Sequence, residues 1–260
     1  MQSLYIATNE WLLYEYLCVQ EELKIPNVYV TIESGYNKFK ENNDRIEDVI
    51  LALVGKVFNG YIRYKTLKNM EFDTIFCPSN PYDTMVDKLK TIECNKYILL
   101  EEGSFDYGDK VTGLSEWADG TKYVAFPEKV KHNNCKELKQ IKFSKTAHDF
   151  MLNTVLKEKI EALPKEVDTL VFTPPSIDNQ STFVRLVNEQ IRKEMIANHS
   201  NSKNVLVCKH PRDNYEYIGL KSVEGIPGQF LNEIYKNAKV KYIHDSTVKI
   251  YEELSHKGLL

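Results

Sequence analysis

"FDTIFCPSNPYDTMVDKLKTIECNKYILLEEG" (72–103) is the stretch that decides the fold. "FDTIFCPSN" (72–80) reads as a strand that ends in the turn residues Pro78, Ser79 and Asn80. "YDTMVDKLKTI" carries apolar residues at helical spacing, and "KYILL" is the next apolar run. Strand, helix, strand is a βαβ unit, and repetition of that unit builds a parallel sheet. The second strand runs into two adjacent carboxylates, Glu101 and Glu102, and then Gly103. Like charges side by side repel, and a partly buried carboxylate carries a desolvation cost. Either the pair faces water or it is placed for proton chemistry.

The same alternation extends in both directions. Toward the N-terminus, "LYIAT" (4–8) predicts a strand, "NEWLLYEYLCVQEELK" a helix capped by Asn9, and "NVYVTI" (27–32) a strand. Asp44 and Glu47 have capping-box spacing ahead of "VILALVGKVFNGYIRY", which predicts a long helix over 49–64. From Gly108 to Lys145 the chain turns polar, Lys-rich and irregular, and reads as a connector. "TAHDFMLNTVLKEKIEAL" (146–163) predicts a helix closed by Pro164. Alternation then resumes: "TLVFTPP" (169–175), a helix over 181–196, "NVLVCKHPRD" (204–213), a helix over 228–238, "VKYIHDST" (240–247) and a last helix. The pattern therefore predicts two α/β halves, 1–145 with its connector and 146–260.

Bulk properties narrow the function classes. A chain of 260 residues with 42% apolar and 27% charged residues has the composition of a globular protein. A net charge of −3 gives no electrostatic case for a nucleic-acid partner. The five cysteines lack metal-ligand spacing, and Cys18, Cys77 and Cys208 sit inside apolar runs, as buried thiols of a reducing compartment do. The chain enters a strand pattern at once, with no secretory signal, and its longest apolar run, Val49–Val54, is far too short to span a bilayer. The expected location is cytoplasmic, with peripheral membrane contact left open.

In open parallel sheets, ligands bind outside the carboxyl ends of the strands. Those ends carry Thr8-Asn9, Ser79-Asn80, Glu101-Glu102-Gly103, Thr173-Pro174-Pro175, His210-Pro211 and Asp245-Ser246-Thr247. Pro211 ends its strand and restricts His210 to an extended backbone. An imidazole there can donate to a leaving phosphate, or it is a surface histidine in a Lys/Arg-rich turn. Ser246 and Thr247 open a helix, where they can cap it, bind a phosphate at its N–H groups, or do both. "EGIPGQFLNE" (224–233) sets glycines before a helix without the spacing of a dinucleotide or P-loop fingerprint.

Taken in order, "EEG" (101–103), "KHP" (209–211) and "DST" (245–247) resemble the bacterial sialyltransferases of the lipooligosaccharide, capsular and polysialic acid type. Those enzymes share a D/E-D/E-G motif, an HP motif and a Ser-Ser/Thr pair. "GIPGQF" (225–230) is similar to the segment after HP in the lipooligosaccharide group, where an acidic residue often meets the ribose. Here Gln229 stands in that place and Glu233 lies one helical turn on, so the ribose contact is open between them.

The resemblance implies a GT-B fold, two Rossmann-like domains facing across a cleft, with the acceptor on the N-terminal side and the donor on the C-terminal side. It implies an inverting transfer of sialic acid from CMP-sialic acid to a galactose-terminated cell-surface glycan, with no metal and no further cofactor. Glu101 is then the base, supported by Glu102 and Gly103, and His210, fixed by Pro211, meets the leaving phosphate. Thr173, Pro174, Gly225, Gln229, Glu233, Ser246 and Thr247 line the donor nucleotide. Tyr5, Asn9 and "SNPYD" (79–83) are expected on the acceptor side. Three alternatives stand beside this reading: another CMP-sugar or nucleotide-sugar transferase of GT-B shape, a nucleotide-sugar epimerase, and a non-catalytic sugar- or nucleotide-binding protein.

Overall fold

The computed structural model describes residues 2–33, 40–80, 83–101, 106–107, 120–131, 133, 135–173, 182–199, 204–210, 213 and 215–242. The chain divides into two compact units, Met1–Val155 and Leu156–Leu260.

In the first unit, β1 (Ser3–Ala7), α1 (Glu10–Leu23), β2 (Val28–Ile32), α2 (Lys40–Leu53) and β3 (Gly60–Tyr61) come first in the chain. They are followed by β4 (Glu71–Pro78), α3 (Asp83–Leu89), β5 (Glu93–Leu100), β6 (Thr121–Val124), β7 (Glu137–Gln140) and α4 (Lys145–Phe150). The seven strands form one parallel sheet in the order β3-β2-β1-β4-β5-β6-β7. Their order reverses beside β1, the place where open α/β sheets leave a crevice at the carboxyl ends.

β1 and most of β4 are buried on both faces, which is why they read as nearly continuous apolar runs. Leu4, Ile6, Ile75, Cys77 and Leu99 pack with Leu67, Phe72, Met85 and Leu89 into one core cluster. Elsewhere in the core Tyr5 stacks on Tyr16 of α1 with ring centroids 4.3 Å apart, and Phe58 and Phe76 close on Tyr16 at 5.4 and 5.1 Å. Each such pair adds about 0.5–1.5 kcal/mol beyond the area it buries. Asn9 caps α1 as expected, its Oδ1 accepting from Leu12 N–H at 2.9 Å.

The helix expected over 49–64 begins earlier and ends earlier. α2 starts at Lys40, with Asp44 inside it, and stops at Leu53; Gly55 then turns the chain at φ 79. The apolar pattern ran on because Phe58 fills the aromatic cluster under Tyr5, not because the helix continues. β3 follows, and Gly60 lies close under Tyr29: a Cβ there would sit 3.0 Å from the ring, so a side chain at 60 would require the ring to shift.

The expected connector contains β6 and β7. β6 is short, and its lysine, Lys122, disguised it as polar although all four of its residues are buried. The helix expected over 146–163 is three pieces: α4, a π-helical turn over Met151–Val155, and α5 (Lys157–Glu161). α4 belongs to the first unit, where Phe143 stacks on Tyr14 of α1 and Lys142 pairs with Glu22, so the division falls after Val155 rather than at 145/146.

The second unit continues from α5 with β8 (Thr169–Phe172), α6 (Thr182–His199), β9 (Val205–Cys208), β10 (Lys221–Val223), α7 (Gly228–Ile234) and β11 (Lys239–Tyr242). Its four strands are parallel in the order β10-β9-β8-β11. β10 is a strand the sequence pattern did not announce. Val171, Met195, Val205, Val207 and Tyr217 form a core cluster. The last helix expected after residue 247 lies outside the described residues.

All five cysteines are free thiols. Burial pushes Cys18 up to about 12 and Cys94 up to about 11, and pushes Cys77 and Cys208 higher still, so these four stay protonated at neutral pH. Among the described residues no helix is long and apolar enough to cross a membrane.

Candidate functional site

Glu101 is the first residue after β5 and is fully buried. Its Oε2 accepts from Ala125 N–H at 2.7 Å and from the Tyr107 hydroxyl. The Tyr107 oxygen in turn accepts from Phe126 N–H at 3.2 Å. Ala125 and Phe126 directly follow β6, so one strand supplies both main-chain donors. An oxygen that accepts two hydrogen bonds is one that carries negative charge well. Burial above all, then the charge of Glu101 and the bond to it, pushes the Tyr107 phenol well above its ordinary value. It therefore stays a donor at any working pH.

Beside this pair lies a second buried polar cluster. Asp106 accepts from Ser79 Oγ at 2.6 Å and from Lys122 Nζ at 3.0 Å. Ser79 follows β4, and its N–H donates to Leu100 O at 2.7 Å. Lys122 and Asp106 are an ion pair with side chains only 7% and 3% exposed. Residues 106 and 107 are thus held by β4 through Ser79, by β6 through Lys122 and by the chain after β6 through Phe126. Sequence reasoning missed this cluster. The available signal was Lys122 itself, a lysine set between Thr121 and the run Tyr123–Phe126, all of which are buried.

Two more carboxylates are buried on α1. Glu15 accepts from Trp11 Nε1 at 2.7 Å, and its charge reaches Tyr107; Glu10 lies in the first turn. Tyr5 does not line an acceptor surface. Its ring is fully buried against Tyr16, and burial first, then the charges of Tyr16, Glu15 and Glu10, raise its hydroxyl well above its ordinary value. Asn9 is occupied as the cap of α1 and Ser79 as the donor to Asp106.

In the second unit, the carboxyl ends of three neighbouring strands carry expected residues. Thr173 follows β8 and is buried; its Oγ1 accepts from His210 N–H at 3.0 Å. His210 stands two residues beyond β9, half-buried. Lys209 between them donates from its N–H to Val223 O of β10 at 2.9 Å. Gly225 follows β10 at φ 77, and its carbonyl accepts from Lys159 Nζ at 3.0 Å. Gln229 on α7 is half-buried, and Glu233 one turn on is exposed.

A buried ion pair steadies the histidine turn. Asp213 N–H donates to His210 O at 2.8 Å. The Asp213 carboxylate faces Arg192 of α6 at 3.3 Å and accepts from Tyr217 OH at 2.7 Å and Tyr215 N–H at 3.1 Å. Arg192 also lies over the Tyr215 ring at 5.7 Å. Asp213 escaped notice in the sequence because it follows "KHPR" and looks like one more charge in a surface turn.

The structure thus brings Thr173 and His210 into contact and sets Gly225 on the neighbouring strand, while Glu101 belongs to the first unit. Glu102, Gly103, Pro174, Pro211, Ser246 and Thr247 lie outside the described residues, as does part of the 79–83 loop. Among the described residues no group of three or more His, Cys, Asp or Glu is placed to hold a metal ion. No protein-family model matches the chain, and no curated protein matches it.

Proposed function

We propose that the chain is an inverting, metal-independent glycosyltransferase that moves sialic acid from CMP-sialic acid to a hydroxyl of a cell-surface glycan. The two units are then the two Rossmann-like domains of a GT-B enzyme, the first handling the acceptor and the second CMP. The observation that carries this reading is the placement of the motif residues. Glu101 of "EEG" and His210 of "KHP" each sit at the carboxyl end of a parallel strand, the first as a buried carboxylate on two donors, the second bonded to the neighbouring strand end.

In the transfer, the acceptor oxygen bonds to the anomeric carbon as that carbon's bond to the CMP phosphate oxygen breaks. The hydroxyl proton passes to Glu101, and the electron pair of the broken bond leaves on the phosphate. His210, Ser246 and Thr247 meet that growing charge, and Gly225 with Gln229 or Glu233 lies beside the nucleoside. Sugar transfer of this kind passes through an oxocarbenium-like state, which fixed donors at the leaving group stabilise. Glu101 has no exposed surface, so transfer requires an opening at this strand end before the acceptor meets it. The enzyme would work in the cytoplasm at the inner face of the membrane, on lipooligosaccharide or capsular polysaccharide.

The full burial of Glu101 favours a second reading, in which its carboxylate only ties β5 to the chain after β6 and the protein binds a nucleotide sugar without transferring it. Release of CMP and of a sialylated product from CMP-sialic acid separates the two. A ligand that binds only the native state raises its melting temperature. In a panel of nucleotides CMP should therefore shift the melting temperature most; a larger shift with a uridine or guanosine nucleotide would rule out the donor class.

Two further outcomes are expected. Changing Ser246 and Thr247 together to Ala should raise the CMP dissociation constant about tenfold or more, because charge-assisted hydrogen bonds to phosphate are worth roughly 1.5–3 kcal/mol each. An unchanged constant by calorimetry reduces the pair to a helix cap. Turnover in excess EDTA should equal turnover with magnesium; loss in chelator that magnesium restores would assign the phosphate to an ion rather than to His210.

A further inference from the structure

We propose, on the footing of the transferase reading above, that Tyr107 is the positioning residue of Glu101, fixing which oxygen is anchored and keeping the carboxylate ionised for the acceptor. The geometry is a closed mooring. Glu101 Oε2 takes Ala125 N–H directly, and it takes Phe126 N–H indirectly, through the Tyr107 hydroxyl. Two consecutive amides at the end of β6 thus hold one carboxylate oxygen by two routes. The phenol cannot drift, because its ring packs edge-on against Phe126 at 6.2 Å and the residue before it, Asp106, is clasped by Ser79 and Lys122.

This has two chemical effects. Donors aimed at the charged form of a carboxylate favour that form, so the Tyr107 hydroxyl works against the burial that favours the neutral acid. A base held in one orientation also avoids the loss in rate that comes with misplacement of a reacting group. Among the described residues the charges near this edge include Glu15 of α1 and the Asp106–Lys122 pair, which the removal of the Tyr107 hydroxyl leaves in place.

The test uses the whole chain with ¹³C-labelled glutamate carboxyls, the Glu101 signal being assigned by its loss in Glu101→Gln. Tyr107→Phe removes the hydroxyl and keeps the ring. The Glu101 signal should then titrate at higher pH than in the wild type, since the charged form has lost a donor. In the transfer assay kcat should fall about tenfold or more with KM for CMP-sialic acid unchanged, and the acid limb of the kcat profile should move to higher pH. A purely structural role would lower stability without moving that limb. Incorporating 3-fluorotyrosine at position 107 makes the hydroxyl a stronger donor, preserves the packing and should move the titration the other way. That second variant decides the matter even if Tyr107→Phe does not fold. Titrations identical to wild type in the variants that fold overturn the proposal. If the titration moves but the wild-type chain transfers no sialic acid, the positioning of Glu101 by Tyr107 stands and the transferase reading falls.

Discussion

Glu101→Gln is expected to leave the chain folded and to lower sialic acid transfer by about 10²–10⁴-fold, the usual cost of removing a general base. The fold should survive because the amide oxygen of Gln can still accept from Ala125 N–H and Tyr107, two bonds that hold the carboxylate in the wild type. What disappears is the ability to take a proton. CMP affinity should be unchanged, since the base acts on the acceptor, and a calorimetric titration of CMP checks that half. Near-wild-type turnover with intact CMP binding would show that Glu101 is not the base and would turn attention to Glu102.

The largest effect on stability is expected at Lys122. With its side chain almost wholly buried against Asp106, Lys122→Met deprives a buried carboxylate of its ion-pair partner while the bond from Ser79 stays. Breaking a buried pair from one side costs about 3–5 kcal/mol, whereas replacing both partners with apolar groups of similar volume is often neutral or better. The double change Lys122→Met with Asp106→Leu should therefore recover most of the loss, provided Ser79 finds another acceptor. A double-mutant cycle on the calorimetric transition of the first unit measures the coupling. A single mutant within about 1 kcal/mol of wild type would mean the charges are solvated rather than buried. The pair holds the turn that carries Tyr107, so loss of stability and loss of any Glu101-dependent activity should appear together.

The sheet was legible where strands are apolar on both faces. Val28–Ile32, Glu71–Pro78 and Val205–Cys208 announced themselves because both sides of each strand meet core. Legibility failed where a residue served the tertiary structure against its own type. Phe58 extended a helical pattern past the end of α2 because it was needed under Tyr5. Lys122 hid a buried strand because its charge is neutralised by Asp106, sixteen positions earlier, and nothing local reveals that partner. At the candidate site, Glu101 and His210 could be picked out by their place at strand ends. Tyr107 and Asp213 could not. Each works through a contact fixed only by folding, Tyr107 with Phe126 and Asp213 with Arg192.

The order of the seven-stranded sheet has a further consequence at its margins. An unpaired strand edge invites another molecule to add a strand, and proteins blunt such edges with short or charged strands. Among the described residues the sheet ends at β3 and β7. β3 has two residues, too few to template a neighbour. β7 reads Glu-Leu-Lys-Gln, and Lys139 pairs with Glu137 at 3.3 Å, holding that carboxyl below its ordinary value. An incoming chain would have to disturb a charged pair for little backbone gained. The two longest strands, β4 and β5, with the apolar runs Ile75–Pro78 and Ile98–Leu100, are paired on both sides in the middle. The arrangement that sets Glu101 beside β6 therefore also leaves this sheet with edges poorly suited to fibre-like edge-to-edge pairing.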